Sequence, residues 1–190
     1  VTLADGKQKT IADLRSGDQL IAFNHNTKQL VTTALITMMD FQPHNFALFK
    51  HITTSTGRQL SLTSSHLLTT PNNGYLMAKN IESGMNIYVV NEEGALIEDR
   101  VSNVTDVVKQ GYMAPLTQEG TLIVNHVAAS CYAIIDSHDV AHAVLAPMRW
   151  WYNLFGAGSK RDETMSVGVH WFPKMLFDVT ASVLPSVIQK

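Results

Sequence analysis

An internal repeat constrains the fold of this chain more than any other feature of its sequence. The segment 11–20, IADLRSGDQL, returns 67 positions later as the segment 78–87, AKNIESGMNI. Each copy is followed by an extended apolar run, an asparagine-containing turn and a second run that leads to an aspartate, Asp40 or Asp106. Solenoid repeats have shorter periods, roughly 20–50 residues. Two long copies therefore predict a pair of related β subdomains with pseudo-two-fold symmetry.

Short β-type runs dominate the first two thirds of the chain. They are rich in β-branched residues and are separated by turns of glycine, asparagine and serine, which is the pattern of an all-β unit. We predict strands over 19–23, 30–38, 46–54, 59–63, 86–90, 97–108 and 121–127. The sequence thus favours a mainly β domain over residues 1–137.

The last third of the chain, residues 138–190, has a helical pattern instead. Apolar residues recur at helical spacing over 138–155, although Pro147 must kink or break that helix. A polar linker over 156–163 precedes a second amphipathic helix over 172–184. This tail holds all three tryptophans, Trp150, Trp151 and Trp171. Such aromatics ordinarily pack helices onto a core, but as a group they favour a groove for a flat apolar ligand.

Composition excludes several classes of partner. The net charge is −2 and the Lys and Arg residues are scattered, so we expect no nucleic-acid partner. No apolar run reaches the roughly 18 residues of a membrane span, and the sequence reads as soluble. The single cysteine, Cys131, excludes an internal disulfide and a CxxC metal or redox motif. We expect neither a metal nor a cofactor.

Four residues are candidates for chemistry. Thr63 and His66 form a Thr-x-x-His turn after an alternating strand, and a histidine exchanges protons near its unperturbed pKa of about 6.5. Asp40 follows an apolar strand, where an aspartate is ordinarily a turn residue. Cys131 lies in a run of small residues, which is typical of an inert buried thiol. Taken singly, each residue has a structural interpretation as well as a catalytic one.

Six stretches of the sequence, taken together and in order, carry a family resemblance. They are DLRSGD at 13–18, MD at 39–40, LTSSHL at 62–67, APLTQEGT at 114–121, AASCYA at 128–133 and LAPMR at 145–149. This set resembles the C-terminal autoprocessing domain of Hedgehog proteins, a Hint-type module related to inteins. The resemblance implies a Hint fold with duplicated β subdomains, followed by a helical sterol-recognition region.

The resemblance also implies a self-cleaving reaction. A cysteine thiol attacks the preceding glycine carbonyl to form a thioester, and the hydroxyl of cholesterol then releases the upstream signalling fragment as a sterol ester. His66 and Thr63 match the residues of the first step, Asp40 the residue that activates the sterol, and Cys131 the second cysteine of the family. In the family the nucleophile lies a few residues before the position of Val1. We therefore expect the sequence as given to lack it and to be inactive without it.

Partners and compartment follow from the same resemblance. We expect a covalently linked N-terminal signalling domain, cholesterol as co-substrate, the endoplasmic reticulum lumen and secretory pathway, and peripheral membrane contact through the C-terminal helices. The predicted sterol-contacting residues are the aromatic and apolar residues of the tail, Trp150, Trp151, Phe155, Trp171, Phe172 and Leu176.

Three alternatives stay open. His138 and His142 have the i, i+4 spacing of a zinc-binding helix, but an aspartate replaces the glutamate of that motif and no third ligand is evident. The second alternative is a sterol- or lipid-binding module without catalysis. The third is a Hint domain whose acceptor is another lipid or water.

Overall fold

A computed structural model describes residues 1–133 together with Ala146, Arg149, Trp150, Gly168 and Val169. This part of the chain is mainly β, as the sequence predicts. Its strands are β1 (Gln19–Asn24), β2 (Gln29–Thr54), β3 (Gln59–Thr63), β4 (Leu67–Thr70), β5 (Gly74–Met77), β6 (Asn86–Val90), β7 (Leu96–Thr117), β8 (Thr121–Val124), β9 (Val127–Ser130) and β10 (Gly168–Val169). Two 3₁₀-helices cover Ile11–Asp13 and Ala78–Asn80. The sheet runs in the order β1-β2-β7-β6-β9-β4-β5, with β3 and β10 also paired to β2 and β8 paired to β9.

The repeat in the sequence is also a repeat in the structure. The two 3₁₀-helices begin 67 residues apart, at 11 and 78, and the same offset separates the starts of β1 and β6, at 19 and 86, and of β2 and β7, at 29 and 96. Each copy forms an antiparallel hairpin, β1 with β2 and β6 with β7. Since β2 and β7 also pair with each other, the two hairpins meet back to back, and the predicted duplication of β subdomains is confirmed.

Equivalent glycines turn the chain into each hairpin. The N–H of Gly17 donates to the carbonyl of Leu35 at 2.8 Å, and the N–H of Gly84 donates to the carbonyl of Val101 at 2.8 Å. Gly17 has φ +90 and Gly84 has φ +97. Glycine adopts such positive φ values without the steric cost that a Cβ atom brings. The backbone thus requires the glycine of the Ser-Gly step in each repeat.

One predicted gap in a strand is wrong. The segment between the predicted strands 30–38 and 46–54 reads as a turn, but β2 runs through it without interruption. A register shift between Gln42 and Phe46 accommodates Pro43. Opposite Pro43, Gly111 of β7 has φ +82, and a Cβ atom there would lie 3.3 Å from the Pro43 carbonyl oxygen. A bulge on one strand and a glycine on the other keep the ladder continuous across the proline.

The predicted strand 121–127 also needs correction. It is two strands, β8 and β9, joined by Asn125 and His126 with φ 48 and 65. Two consecutive left-handed residues form the turn that suits a two-residue hairpin. Strands β4 and β5, which the sequence analysis did not predict, form a second short hairpin after His66.

One apolar cluster joins the start of the chain to the middle of the sheet. Its buried members are Val1, Leu14, Leu20, Leu35, Ile36, Met38, Leu67, Leu116, Leu122, Cys131 and Tyr132, and Met39 and Phe41 pack against it. Burying a leucine fully contributes about 1.5–3 kcal/mol. The cluster includes Leu67, which follows His66, and both neighbours of Asp40, Met39 and Phe41. It holds them in one core.

Little of the predicted helical tail lies within the described residues. Ala146, Arg149 and Trp150 are helical. The two residues of β10 pair antiparallel with β2, Gly168 opposite Phe41 and Val169 opposite Asp40. The rest of the two predicted helices, including His138 and His142, falls outside the described part. Within that part, no helix combines the length and apolarity needed to cross a bilayer.

Candidate active site

His66 is held in the turn between β3 and β4 by both its backbone and its ring. Its N–H donates to the carbonyl of Thr63 at 2.9 Å, which closes the Thr-x-x-His turn. Its ring Nε2 lies 2.8 Å from the carbonyl oxygen of Ser130 in β9. A carbonyl oxygen only accepts, so Nε2 carries the proton and Nδ1 has the free lone pair in the neutral ring. Among the described residues Nδ1 has no hydrogen-bond partner, so it is the nitrogen available to an incoming group.

The surroundings of His66 favour its neutral form. Part of the residue is exposed, but burial of the ring lowers its pKa below the usual value, and the hydrogen bond to Ser130 opposes that shift only in part. Removing a charged imidazolium from water is costly, which is why burial favours the neutral ring. At neutral pH Nδ1 is therefore ready to accept a proton.

Thr63 lies in the same turn as this histidine. It is the last residue of β3, lies opposite Phe49 of β2 and is half-buried. Within the part of the chain that the structure describes, its hydroxyl makes no hydrogen bond. An unpaired hydroxyl three residues before His66, in the turn that His66 closes, can bond to a peptide group placed against that turn.

Cys131 lies next to Ser130, the partner of His66, and is buried. Its Sγ is 3.6 Å from Oγ1 of Thr117, whose own hydroxyl donates to the carbonyl of Thr121 at 2.8 Å. With that proton already placed, the thiol of Cys131 is the donor in the contact with Thr117. Burial raises the pKa of Cys131 to about 11. The thiol stays protonated at neutral pH and is not a nucleophile as it stands.

Val1 is fixed against the same core. Its amino group donates to the carbonyl of Lys9 at 2.8 Å, and the N–H of Lys9 donates back to the carbonyl of Val1 at 2.9 Å. The side chain of Val1 is buried in the cluster that contains Leu67 and Cys131. The first residue therefore shares one core with the residue after His66 and the residue after Ser130.

Asp40 lies in β2 between Met39 and Phe41. Its backbone pairs with Ala114 of β7 and with Val169 of β10. The carboxylate oxygen Oδ1 is shielded from solvent and has no hydrogen-bond partner among the described residues. Such a buried acceptor ordinarily has a donor, so this oxygen suits a hydroxyl group brought to it. Asp40 makes no hydrogen bond to His66; their neighbours in sequence, Leu67 and Met39, lie in the same apolar cluster.

Sequence analysis missed a polar cluster near Val1. Nζ of Lys109 donates to Oγ of Ser61 at 2.8 Å, and the same Oγ lies 2.9 Å from Nδ1 of His51. The three residues line a cleft of about 840 Å³ together with Val1. The alternation of β3 gave a usable signal, because period two places Ser61 on the face of Thr63. Lys109 belongs to β7, and its position beside Ser61 depends on the pairing of β7 with β2, which the sequence does not reveal.

The predicted sterol contacts are described only at Trp150. This side chain is 71% exposed and its residue is helical. The remaining predicted contacts lie outside the described residues: Trp151, Phe155, Trp171, Phe172 and Leu176. Across residues 1–133 and the five described tail positions, no three His, Cys, Asp or Glu side chains gather as metal ligands would.

Comparison with protein families gives one match over nearly the whole chain, the Hint module over residues 1–185. The chain is 35% identical over 202 residues to the protein hedgehog of Drosophila ananassae, covering 96% of this chain and 43% of that protein. It is 29% identical over 202 residues to the Sonic hedgehog protein of Danio rerio, covering 98% and 48%. The chain thus spans less than half the length of these relatives.

Solved structures with the same fold include inteins and an intein-like domain. The Ssp DnaB mini-intein variant M86 superposes with a TM-score of 0.60 at 18% identity, covering 68% of this chain and 88% of that one. An intein-like domain from Clostridium thermocellum gives a TM-score of 0.55 at 16% identity, covering 68% and 92%. Identities this low show the fold alone, and they agree with the predicted Hint architecture.

Proposed function

Because this chain belongs to the Hint module family, we propose that it is the autoprocessing domain of a Hedgehog-type precursor. In this proposal it acts as a self-processing cysteine-type autoprotease and cholesterol transferase on a signalling domain linked before Val1, in the endoplasmic reticulum lumen. The observation that carries the proposal is the neutral His66, anchored through Nε2 to Ser130 with Nδ1 free. We place the β processing domain at 1–137 and the sterol-recognition region at 138–190.

The first step is an N-to-S acyl shift at a Gly–Cys bond upstream of Val1. Nδ1 of His66 takes the thiol proton, and the sulfur attacks the glycine carbonyl carbon. As the C–S bond forms, the C–N bond breaks, and His66 passes its proton to the departing amine nitrogen. Thr63 donates its hydroxyl to the scissile amide. Proton transfer by a positioned side chain contributes roughly 10²–10⁴-fold to such a step.

The second step transfers the acyl group to cholesterol. A carboxylate oxygen of Asp40 takes the proton of the sterol hydroxyl, whose oxygen attacks the thioester carbonyl. The C–O bond forms, the C–S bond breaks, and the leaving thiolate takes up the proton that Asp40 accepted from the sterol. Two observations support this role: Oδ1 of Asp40 has no partner among the described residues, and β10 of the tail pairs with β2 at Asp40. In this proposal the tail delivers the sterol, with Trp150 and the other predicted contacts forming its groove.

Cys131 has a supporting place in the proposal. Its pKa of about 11 argues against rapid thiol exchange with the nucleophile, because the thiolate is the reacting form. We assign to it the packing of the wall behind His66 and a neutral thiol that donates to Thr117.

A precursor with a reporter, the junction cysteine and this chain tests the proposal. We expect dithiothreitol to release the reporter and cholesterol to release it with the mass of a sterol ester, both read by mass spectrometry. A shortened precursor that ends after Arg149 should cleave in dithiothreitol and lose the sterol product. Release of an unmodified carboxylate in the presence of sterol would refute sterol transfer. No cleavage under either condition would leave only a lipid-binding module.

A further inference from the structure

The cleft beside Val1 has a chemistry that the two proposed steps do not use. The ammonium of Lys109 donates to Ser61, and the Ser61 hydroxyl proton has Nδ1 of His51 as its one acceptor among the described residues. This order, Lys109 to Ser61 to His51, leaves the proton of neutral His51 on Nε2. Nε2 of His51 and two ammonium protons of Lys109 then have no protein acceptor within the described part.

The cleft therefore offers ammonium and imidazole donors without a carboxylate to pair with them. None of the residues that line it is an aspartate or a glutamate. Lys9 also lines it, but its ammonium is already bonded to Asp18 at 2.7 Å. Lys109 is exposed and His51 half-buried, and an occupant that supplies carbonyl or carboxylate oxygens would pair with both. A hydrogen bond from the charged ammonium is stronger than one between neutral groups.

The backbone at Val1 shows which chain reaches this cleft. Val1 and Lys9 exchange two hydrogen bonds, as an antiparallel pair does. In an antiparallel ladder the residue before Val1 lies opposite the residue after Lys9, which is Thr10. Thr10 lines the same cleft as Lys109 and His51. Since Ile11 and Ala12, in the 3₁₀-helix that follows Thr10, line the cleft too, a segment that runs back from Val1 past Thr10 reaches it.

We propose that the cleft binds, in extended form, the peptide that immediately precedes Val1, with Lys109 and His51 donating to its carbonyl or carboxylate oxygens. This inference rests on the proposed function in that a segment precedes Val1. Ser61 and Thr63 lie on one face of β3, so a peptide bound at Ser61 is aligned toward the turn that holds His66. Lys109, Ser61 and His51 are thus positioning residues for the junction.

Hydrogen exchange of an uncleavable precursor tests the binding. The junction cysteine is replaced by alanine, and the precursor with its natural upstream residues is compared with the chain that starts at Val1. We expect exchange of the amides of residues 10–12 to slow by roughly tenfold or more in the precursor. Lys109→Met should reverse this protection.

Lys50→Met is the matched control. Lys50 pairs with Asp106, and Lys109 pairs with Ala47. Side chains alternate along β2, so Lys50, three residues after Ala47, lies on the opposite face of the sheet from Lys109. The control should keep the protection in full. Equal exchange with and without the upstream segment, or equal loss in both variants, would overturn the inference. Thiol cleavage of the active precursor is measured separately: cleavage without protection rejects peptide binding alone, and protection without cleavage rejects the processing function alone.

Discussion

The thiol of Cys131 provides a prediction with a magnitude that the structure sets. Burial raises its pKa from 9.0 to about 11. At pH 8 the thiolate is then about one part in a thousand, against about one part in ten for an unperturbed thiol of that starting pKa. Because only the thiolate is alkylated, ionisation alone slows the reaction about a hundredfold.

The assay is alkylation of the native chain by iodoacetamide, followed by mass spectrometry across pH 7–10. The same chain in denaturing urea is the control, because there the thiol is exposed and unshifted. We expect the native rate at pH 8 to lie at least about a hundredfold below the urea rate, and to keep rising with pH up to 10, where the urea rate levels off. Equal rates in both states would show that Cys131 is neither buried nor neutral, and would contradict the supporting place given to it behind His66.

Two further predictions concern His66 and Gly84. Burial lowers the pKa of folded His66 below 6.5, so the unfolded chain binds more protons and the protein loses stability as the pH drops through 6.5. Urea unfolding from pH 8 to 5 should show a smaller loss of unfolding free energy in His66→Asn than in the wild type. An equal loss would contradict the shift. Gly84→Ala should lower the free energy of unfolding by about 1–2 kcal/mol because of its φ of +97. Gly57 has φ +85 and no atom within 4 Å of an added Cβ, so Gly57→Ala should lower the free energy of unfolding nearly as much. An unchanged free energy of unfolding in Gly84→Ala would refute the strain argument.

Sequence predicted the architecture well where local chemistry repeats. The Ser-Gly step is visible in both copies, and in the structure Ser16 bonds the carbonyl of Ile36 while Ser83 bonds that of Ser102. The continuity of β2 across Pro43 was not predictable, because it depends on Gly111 in a strand about 70 residues away in the chain. A proline reads locally as a break, and only pairing with β7 shows otherwise.

The candidate site was predictable to different degrees. The turn in the sequence makes His66 and Thr63 candidates, and the structure adds which ring nitrogen of His66 is free. The contact between His66 and Ser130 joins β9 to a turn 64 residues earlier, and nothing local in the sequence indicates it. The same limit hid the bond between Lys109 and Ser61, 48 residues apart. Long-range pairs of this kind are set by sheet order rather than by propensity.

The central claim is that His66 moves the proton of the junction while Asp40 acts only on the acceptor. It is tested most directly by comparing His66→Ala and Asp40→Asn in one precursor that carries the junction cysteine, with cleavage followed both in dithiothreitol and with cholesterol. The account predicts that His66→Ala slows dithiothreitol cleavage by roughly 10²–10⁴-fold, whereas Asp40→Asn cleaves normally in dithiothreitol and loses the sterol product. Wild-type cleavage by His66→Ala in dithiothreitol would contradict it.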